Sequence, residues 1–158
     1  MAKRSGGRTI LAVVDFSPVS DDVMTYASEL AERLDKHLVI LHVVHDPGEA
    51  PGYYHVKGHD KVLRRIEDVA REMFDKFLAR TRKRLPDNRR LRRSKTLLPT
   101  GLPVTRILEI VTRLQPWMVV MGSRGRTGMA HVLLGSKAEQ VVRLSPVPVM
   151  VVKGPRQE

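Results

Sequence analysis

The sequence predicts an α/β protein built on an open five-stranded parallel sheet with helices on both faces. Short apolar runs alternate with longer amphipathic segments, which gives five strands and four helices in turn. The first two runs, at 9–14 and 37–44, are largely apolar, as expected for strands buried on both faces. A Gly-rich stretch follows the fourth run, at the end of a strand where ligands of parallel sheets bind.

Periodicity and helix-breaking residues place the individual elements. The predicted strands cover 9–14, 37–44, 91–98, 117–121 and 146–153. The predicted helices cover about 21–36, 61–85, 103–114 and 136–144. Basic residues within the third strand indicate an edge strand, and the two prolines that open the fifth indicate an edge or a strand entry.

Capping signals indicate where three of the helices begin. Ser20 or Asp21 is expected to cap the first helix, and Pro103 is expected in the first turn of the third. Ser136 with Glu139 has the spacing of a capping box for the fourth helix, although Ser136 could instead meet a phosphate.

A long loop, 45–59, joins the second strand to the second helix, and its length indicates a mobile segment or a lid. Five of the six histidines lie between His37 and His59. The carboxylates interleaved with them are Asp46 and Glu49, and the spacing matches no established metal-binding set. We therefore predict no metal site in the chain.

The Gly-rich stretch has the pattern G-x2-G-x9-G-S, formed by Gly122, Gly125, Gly135 and Ser136. Glycines let backbone N–H groups approach an oxyanion closely, and a helix that starts at Ser136 adds unpaired N–H donors and a positive dipole end. Positive charge nearby comes from Arg124, Arg126 and Lys137. We predict the phosphate-holding half of a nucleotide site, with an ordinary turn and helix cap as the alternative.

Composition limits the class of protein. The 158 residues are expected to form a single domain over 1–158, with 1–8 disordered. No apolar run reaches 18 residues and no signal peptide is recognisable, so we expect neither a membrane span nor secretion. The absence of cysteine excludes disulfides and thiolate metal sites, and a cytoplasmic location is the simplest expectation.

The net charge of +11 is concentrated in one part of the chain. Between Lys61 and Lys95 lie 14 of the 28 Lys and Arg residues, against five Asp and Glu. No aromatic residue interleaves with the cluster at 89–93, which argues against a stacking surface for single strands. We expect the 80–95 segment to be a solvated basic face, with binding of nucleic acid or another anionic partner as the alternative.

The chain resembles the ATP-binding branch of the universal stress protein family over residues 8–153. The strings VVMGSRGRTG, LLGSKAEQVV and SPVPVMVVK carry the resemblance, together with ILAVVDFS, ILHVV and the Gly101-x-Pro103 turn. The resemblance implies an adenine nucleotide alpha hydrolase-like fold, strand order 3-2-1-4-5, and a homodimer that pairs through the fifth strand (147–152). Trp117 departs from the family, in which many members carry an acidic residue there.

The resemblance also implies a site for ATP, with AMP or cyclic AMP as alternatives and with Mg²⁺ accompanying ATP. Asp15 would contact the ribose or lie near the adenine, and the Val43 backbone would meet the adenine edge. Val13, Met121 and Gly122 would line the nucleoside side of the site. The residues implied on the phosphate side are Ser123, Arg124, Gly125, Gly135, Ser136 and Lys137.

We expect a regulatory nucleotide-binding module and no catalytic residues, with slow ATP hydrolysis as the alternative. Phosphoryl transfer needs a positioned water and metal ligands, but the chain has no GxxxxGK[ST] motif. Asp15 and Glu139 are the carboxylates expected near the site. A phospho-signalling receiver is disfavoured because the third strand ends at Leu98-Pro99-Thr100 and not at an aspartate.

Overall fold

The computed structural model describes residues 7–45, 66–125 and 134–154. Its strands are β1 (Thr9–Val13), β2 (His37–Leu41), β3 (Lys95–Leu97), β4 (Met118–Gly122) and β5 (Val149–Val152). Its helices are α1 (Pro18–Arg33), α2 (Ile66–Arg84), α3 (Arg89–Arg92), α4 (Pro103–Leu114) and α5 (Ser136–Leu144). All neighbouring strands are parallel and the order is β3-β2-β1-β4-β5, which confirms the predicted architecture.

The sheet has a separate apolar core on each face, because alternate residues of a strand point to opposite sides. On one face Ile10 and Ala12 of β1 pack with buried residues of α1, α2 and α3. On the other face Leu11 packs with buried residues of α4 and α5. The central strands are therefore covered on both sides, as their apolar sequences predicted.

The first helix begins earlier than predicted. The expected cap at Ser20 or Asp21 was wrong, because Ser17 is the N-cap and Pro18 opens the helix. Proline has its φ preset for a helix and lacks the N–H that would go unpaired there, so Pro18 favours this earlier start. The helix also ends at Arg33, short of the expected residue 36. Ser20 consequently lies inside the first turn and takes on another contact, described below.

The predicted strand at 91–98 was wrong over its first half. Residues 89–92 form the short helix α3, because the Asn88 side chain caps it by accepting a hydrogen bond from the Leu91 N–H at 2.7 Å. The Asn88 amide also donates to the Ser28 carbonyl of α1 at 3.0 Å. The remaining strand, β3, is three residues long, exposed, and lies at the sheet edge as predicted.

Two other strands are shorter than the apolar runs predicted. β2 ends at Leu41, and Val44 makes only an isolated bridge to Thr100. β5 begins at Val149, after Pro146 and Pro148, which lack N–H groups for a ladder. Most of the 45–59 loop, the start of the second predicted helix and Arg126 lie outside the described residues.

Part of the basic 80–95 segment is paired with the carboxylates of α1. Arg80 and Arg84 both reach Asp21, the first at 3.2 Å to a carboxylate oxygen and the second at 2.6 Å to the carbonyl. Glu32 accepts from the Arg89 guanidinium at 2.8 Å and from the Arg90 N–H at 3.0 Å. The Arg89 side chain lowers the pKa of the Glu32 carboxyl below its ordinary value. The segment is thus not the uniformly solvated face that its composition predicted.

Gly7 and Arg8, within the segment expected to be disordered, make hydrogen bonds to the start of β2 and the residue before it. The Gly7 carbonyl accepts from the Lys36 ammonium at 3.2 Å, and the Arg8 carbonyl accepts from the His37 N–H at 2.8 Å. The expectation of disorder otherwise falls on residues 1–6, which lie outside the described residues. Across the described ranges, no helix combines the length and the apolar composition that a membrane span requires.

Candidate functional site

Three adjacent strands bring the candidate residues to one edge of the sheet. Val13 of β1 is in register with Leu41 of β2 on one side and with Met121 of β4 on the other. The strands are parallel, so the residues that follow these three leave the sheet at the same edge. Asp15 and Val43 each lie two residues beyond this register. The loop that follows β4 and leads to α5 leaves the sheet at the same edge. The topology therefore brings Val13, Asp15, Val43 and Met121 to one edge of the sheet.

Asp15 is held in a fixed orientation by the start of α1. Its Oδ1 atom accepts from the Ser17 N–H at 3.0 Å and from the Ser20 hydroxyl at 3.0 Å. The same hydroxyl accepts from the Asp15 N–H at 3.1 Å. The buried Ser20 therefore positions Asp15, a role that the sequence did not reveal because Ser20 looked like a helix cap.

The second carboxylate oxygen of Asp15 points to the glycine loop. A Cβ built on Gly125 would lie 3.2 Å from Asp15 Oδ2. The Gly125 backbone does not have a positive φ, so glycine is favoured there by close approach and not by a left-handed conformation. The end of β1 and the loop after β4 therefore approach each other closely at this point.

The other two glycines of the motif also mark close approaches. A Cβ on Gly122 would lie 3.0 Å from Cγ1 of Val19 in α1, and a Cβ on Gly135 would lie 3.3 Å from the Ser123 carbonyl oxygen. Ser123 is buried, with its N–H bonded to the Val152 carbonyl at 2.8 Å and its carbonyl accepting from the Gly135 N–H at 2.7 Å. Ser123 thus holds the loop between β5 and α5.

The beginning of α5 differs from the predicted capping box. Gly135 is the N-cap, Ser136 is the first helical residue, and no side chain caps the helix. The first helical bond runs from the Glu139 N–H to the Gly135 carbonyl at 2.9 Å. The N–H groups of Ser136 and Lys137 therefore have no acceptor among the described residues, and both residues are exposed. This helix end has the donors and the dipole that suit an oxyanion.

The Val43 peptide group has no hydrogen-bond partner among the described residues. The neighbouring Val44 directs its N–H to the Pro99 carbonyl and its carbonyl to the Gly101 N–H, both at 2.8 Å and both toward β3. Strand residues alternate in direction, so the Val43 N–H and C=O face away from β3. Neither group has a hydrogen-bond partner among the described residues, although Val43 is buried. A buried peptide that is left unpaired in this way is unusual and suits a ligand.

The predicted site residues not yet placed are Val13, Met121 and Arg124. Val13 of β1 and Met121 of β4 are partners in the sheet register, near the ends of their strands. Arg124 is half-buried in the loop after β4. Within the described ranges, no group of three His, Asp or Glu residues could hold a metal ion.

Comparisons with known proteins give one family. A sequence profile of the universal stress protein family matches residues 7–153. Universal stress protein MJ0531 of Methanocaldococcus jannaschii is 26% identical over 151 residues, which cover 96% of this chain and 85% of that protein. The structure of universal stress protein UspA from Lactobacillus plantarum superposes with a TM-score of 0.67 at 26% identity, covering 91% of this chain and 96% of that chain.

A further structure, a universal stress protein in complex with cAMP, superposes with a TM-score of 0.58 at 23% identity and covers 94% of this chain and 98% of that chain. The fold is the adenine nucleotide alpha hydrolase-like fold, with the strand order that the family resemblance implied. From the matched profile, the shared fold and the spacing of the glycines, it follows that the chain belongs to the universal stress protein family.

Proposed function

We propose that this protein is an ATP-binding regulatory module that holds an adenine nucleotide at the sheet edge beyond the carboxyl ends of β1 and β4. The observation that carries the proposal is the buried peptide group of Val43, which has no partner among the described residues. An adenine edge presents a hydrogen-bond donor beside an acceptor, which complements one free C=O and one free N–H. Val43 lies at the same sheet edge as Asp15 and the glycine loop, so one extended ligand could reach all three.

The other parts of this sheet edge fit the remaining parts of a nucleotide. Asp15 is oriented by Ser17 and Ser20 with Oδ2 beside the glycine loop, and it would lie on the ribose side of the ligand. The uncapped N–H groups of Ser136 and Lys137 would hold phosphate oxygens. Mg²⁺ would enter with ATP, bound mainly through the phosphates and water.

The choice of nucleotide is open to direct measurement. A universal stress protein of the same fold has been crystallised with cAMP, so cAMP and AMP belong in the test beside ATP. The experiment is mass spectrometry of small molecules released from the purified protein, followed by calorimetric titration with each nucleotide. We expect ATP to bind most tightly, since the α5 amides add contacts to its phosphates. Absence of all three from the protein, with no binding in titration, would reject the proposal.

We propose that the nucleotide is held and not efficiently hydrolysed. Among the described residues near this sheet edge, the carboxylates are Asp15 and Glu139. Asp15 is oriented by α1 toward the nucleoside side, and Glu139 is exposed on α5. Neither is placed as the water-positioning group that phosphoryl transfer requires. In a single-turnover assay, we expect ATP to dissociate from the protein many times more often than it is hydrolysed. Rapid conversion to ADP would favour the hydrolase alternative.

We also propose a homodimer that pairs through the fifth strand (147–152). β5 is an edge strand whose first three residues, Val149, Met150 and Val151, are only partly buried. An apolar edge strand with unpaired N–H and C=O groups is a template for a second strand. Light scattering of the purified protein would test the dimer. A cytoplasmic location stays a prediction from the cysteine-free sequence.

Some cations of the basic 80–95 segment have no carboxylate partner among the described residues, and they favour a second function, the binding of nucleic acid. These exposed cations together form a surface that we name the basic corner. Its residues are Arg82, Lys83, Arg92, Arg93 and Lys95. Arg82 lies between Arg80 and Arg84, which face α1, so its own side chain points away from α1. The corner suits the phosphate backbone of a nucleic-acid duplex, since it lacks aromatic residues for stacking.

The basic corner is testable separately from the nucleotide site. Fluorescence anisotropy with a duplex of mixed sequence should show affinity that falls steeply with salt. The double variant Arg92→Ala with Arg93→Ala should reduce the slope of log K against log salt by about one for each phosphate that is no longer neutralised. Arg113→Ala, an exposed change on α4, is the matched control. Equal affinity in wild type and double variant would exclude the corner as the binding surface.

A further inference from the structure

Among the described residues, the hydrogen-bond ladder between β1 and β2 lacks the bond that the parallel pattern predicts next. The Val14 N–H donates to the Leu41 carbonyl at 2.9 Å, and in a parallel ladder the next bond would run from the Val43 N–H to the Val14 carbonyl. That bond is missing from the described part of the chain. The Val14 carbonyl oxygen instead lies 2.9 Å from the Nδ1 atom of His42. A carbonyl only accepts, so this Nδ1 atom must carry the proton.

The His42 ring is fixed by its surroundings. It is buried, and its centroid lies 4.2 Å from that of Phe16 and 6.3 Å from that of Phe74. Phe16 has a φ of 64°, a left-handed conformation that is uncommon for an aromatic residue. This turn directly after Asp15 brings the Phe16 ring against His42. The His42 N–H is bonded to the Leu97 carbonyl of β3 at 3.1 Å, so its backbone is held on the side away from β1.

We propose that His42 keeps the Val43 peptide group available for the ligand by occupying the Val14 carbonyl in its place. His42 is thus a positioning residue, which acts on the site through Val43. The identity of the ligand rests on the proposed function, whereas the effect of His42 on the Val43 N–H does not. A side chain without a donor at Nδ1 would leave the Val14 carbonyl unsatisfied, and the Val43 N–H is the nearest backbone donor in the ladder pattern.

Two substitutions separate the hydrogen bond from the packing. His42→Phe keeps an aromatic ring against Phe16 and Phe74 but removes the donor. His42→Asn loses part of the packing but places an amide N–H near the position of Nδ1. His37→Asn, at an exposed residue of β2, is the matched control. If the donor is what matters, Asn at position 42 should preserve more function than Phe.

The first experiment is nuclear magnetic resonance on the ligand-free wild-type protein. We expect the His42 ring as the Nδ1-protonated tautomer and no scalar coupling across a hydrogen bond between the Val43 nitrogen and the Val14 carbonyl carbon. The corresponding coupling from Val44 to Pro99 should be present, since that bond measures 2.8 Å. A Val43–Val14 coupling in the free protein, or a bare Nδ1, would overturn the proposal. This measurement needs no variant and no nucleotide.

The second experiment compares the variants. In His42→Phe the Val43–Val14 coupling should appear, and AMP and ATP should each bind about tenfold more weakly, the effect of one missing hydrogen bond. His42→Asn should bind within a few-fold of wild type, as should His37→Asn. Equal losses in the Phe and Asn variants would show that His42 acts by packing alone. If Phe at position 42 prevents folding, wild type and the Asn variant still decide the question.

The two proposals can fail separately. If wild-type protein binds none of the adenine nucleotides, the proposed function is wrong, yet the tautomer and the couplings still report whether His42 holds the ladder open. If the nucleotide binds and the Val43–Val14 bond is already present in the free protein, only the role of His42 is wrong.

Discussion

Replacement of Gly125 by aspartate tests the point where the glycine loop meets β1. A Cβ at this position would lie 3.2 Å from Asp15 Oδ2, and the backbone does not have a positive φ. The backbone therefore tolerates a side chain, and the neighbours decide the outcome. Aspartate would place a second carboxylate beside Asp15 and in the site that we assign to the nucleotide.

The magnitude follows from Coulomb's law. Two unit charges about 4 Å apart repel by about 1 kcal/mol in water and by about 4 kcal/mol at an effective dielectric constant of 20. Gly125 is exposed and Asp15 is half-buried, so the lower part of this range applies. If the same range applies between the new carboxylate and an ATP phosphate, a penalty of about 1–3 kcal/mol corresponds to a loss of ATP affinity of roughly fivefold to 150-fold. Repulsion from Asp15 is present with and without ATP, so it lowers the stability of the protein and not its affinity.

The assay is calorimetric titration of ATP into three variants, Gly125→Ala, Gly125→Asn and Gly125→Asp. Asparagine matches aspartate in shape and lacks its charge, so the difference between these two variants isolates the electrostatic part. We expect a small loss with alanine, a larger one with asparagine and the largest with aspartate. Equal affinities for the asparagine and aspartate variants, or wild-type affinity in a folded aspartate variant, would refute the placement of the phosphates.

Four other changes have distinct expected outcomes. Gly135→Asp should lower ATP affinity in a folded protein, because its carboxylate would cap the α5 amides itself; calorimetry and circular dichroism check this. Asp15→Ala should weaken ATP and AMP by similar factors, and a loss confined to ATP would move Asp15 to the phosphates. Val151→Pro should halve the mass measured by light scattering, since proline removes an edge N–H donor. Glu32→Gln should reduce the loss of stability in acid seen by thermal unfolding. The lowered pKa of Glu32 means that its contribution is present above the ordinary carboxyl pKa and is lost as the pH falls through the folded-state value.

The sequence predicted the central sheet because its strands carry their own signal. β1, β2 and β4 are apolar runs, and burial on both faces requires that composition. The error at 91–98 has a local cause, since Asn88 caps a helical turn in a stretch whose basic residues fit a helix or an edge strand. The shift from Ser136 to Gly135 at the start of α5 arises because the Ser123 carbonyl holds the Gly135 N–H.

The sequence predicted only those residues of the candidate site that are recognised by their position in a motif or at a strand end. Asp15, Val43 and the glycines follow strand ends, so the topology alone brings them together. Ser20 and His42 act through contacts with Asp15 and Val14, and neither contact has a spacing signature. For the same reason the arginine pairs with α1 were missed: the partners Arg89 and Glu32 lie 57 residues apart in the sequence.

The two edges of the sheet differ in a way that governs how copies of the chain could assemble. β3 is three exposed residues with Lys95 at its start, a short and charged edge that resists pairing, whereas β5 offers four apolar residues. Growth through unlike edges, head to tail, would build an open filament. The β3 edge therefore disfavours such growth, and the dimer that we propose would pair β5 with another β5, a self-complementary contact. That assembly would have two-fold symmetry and would be complete after two copies.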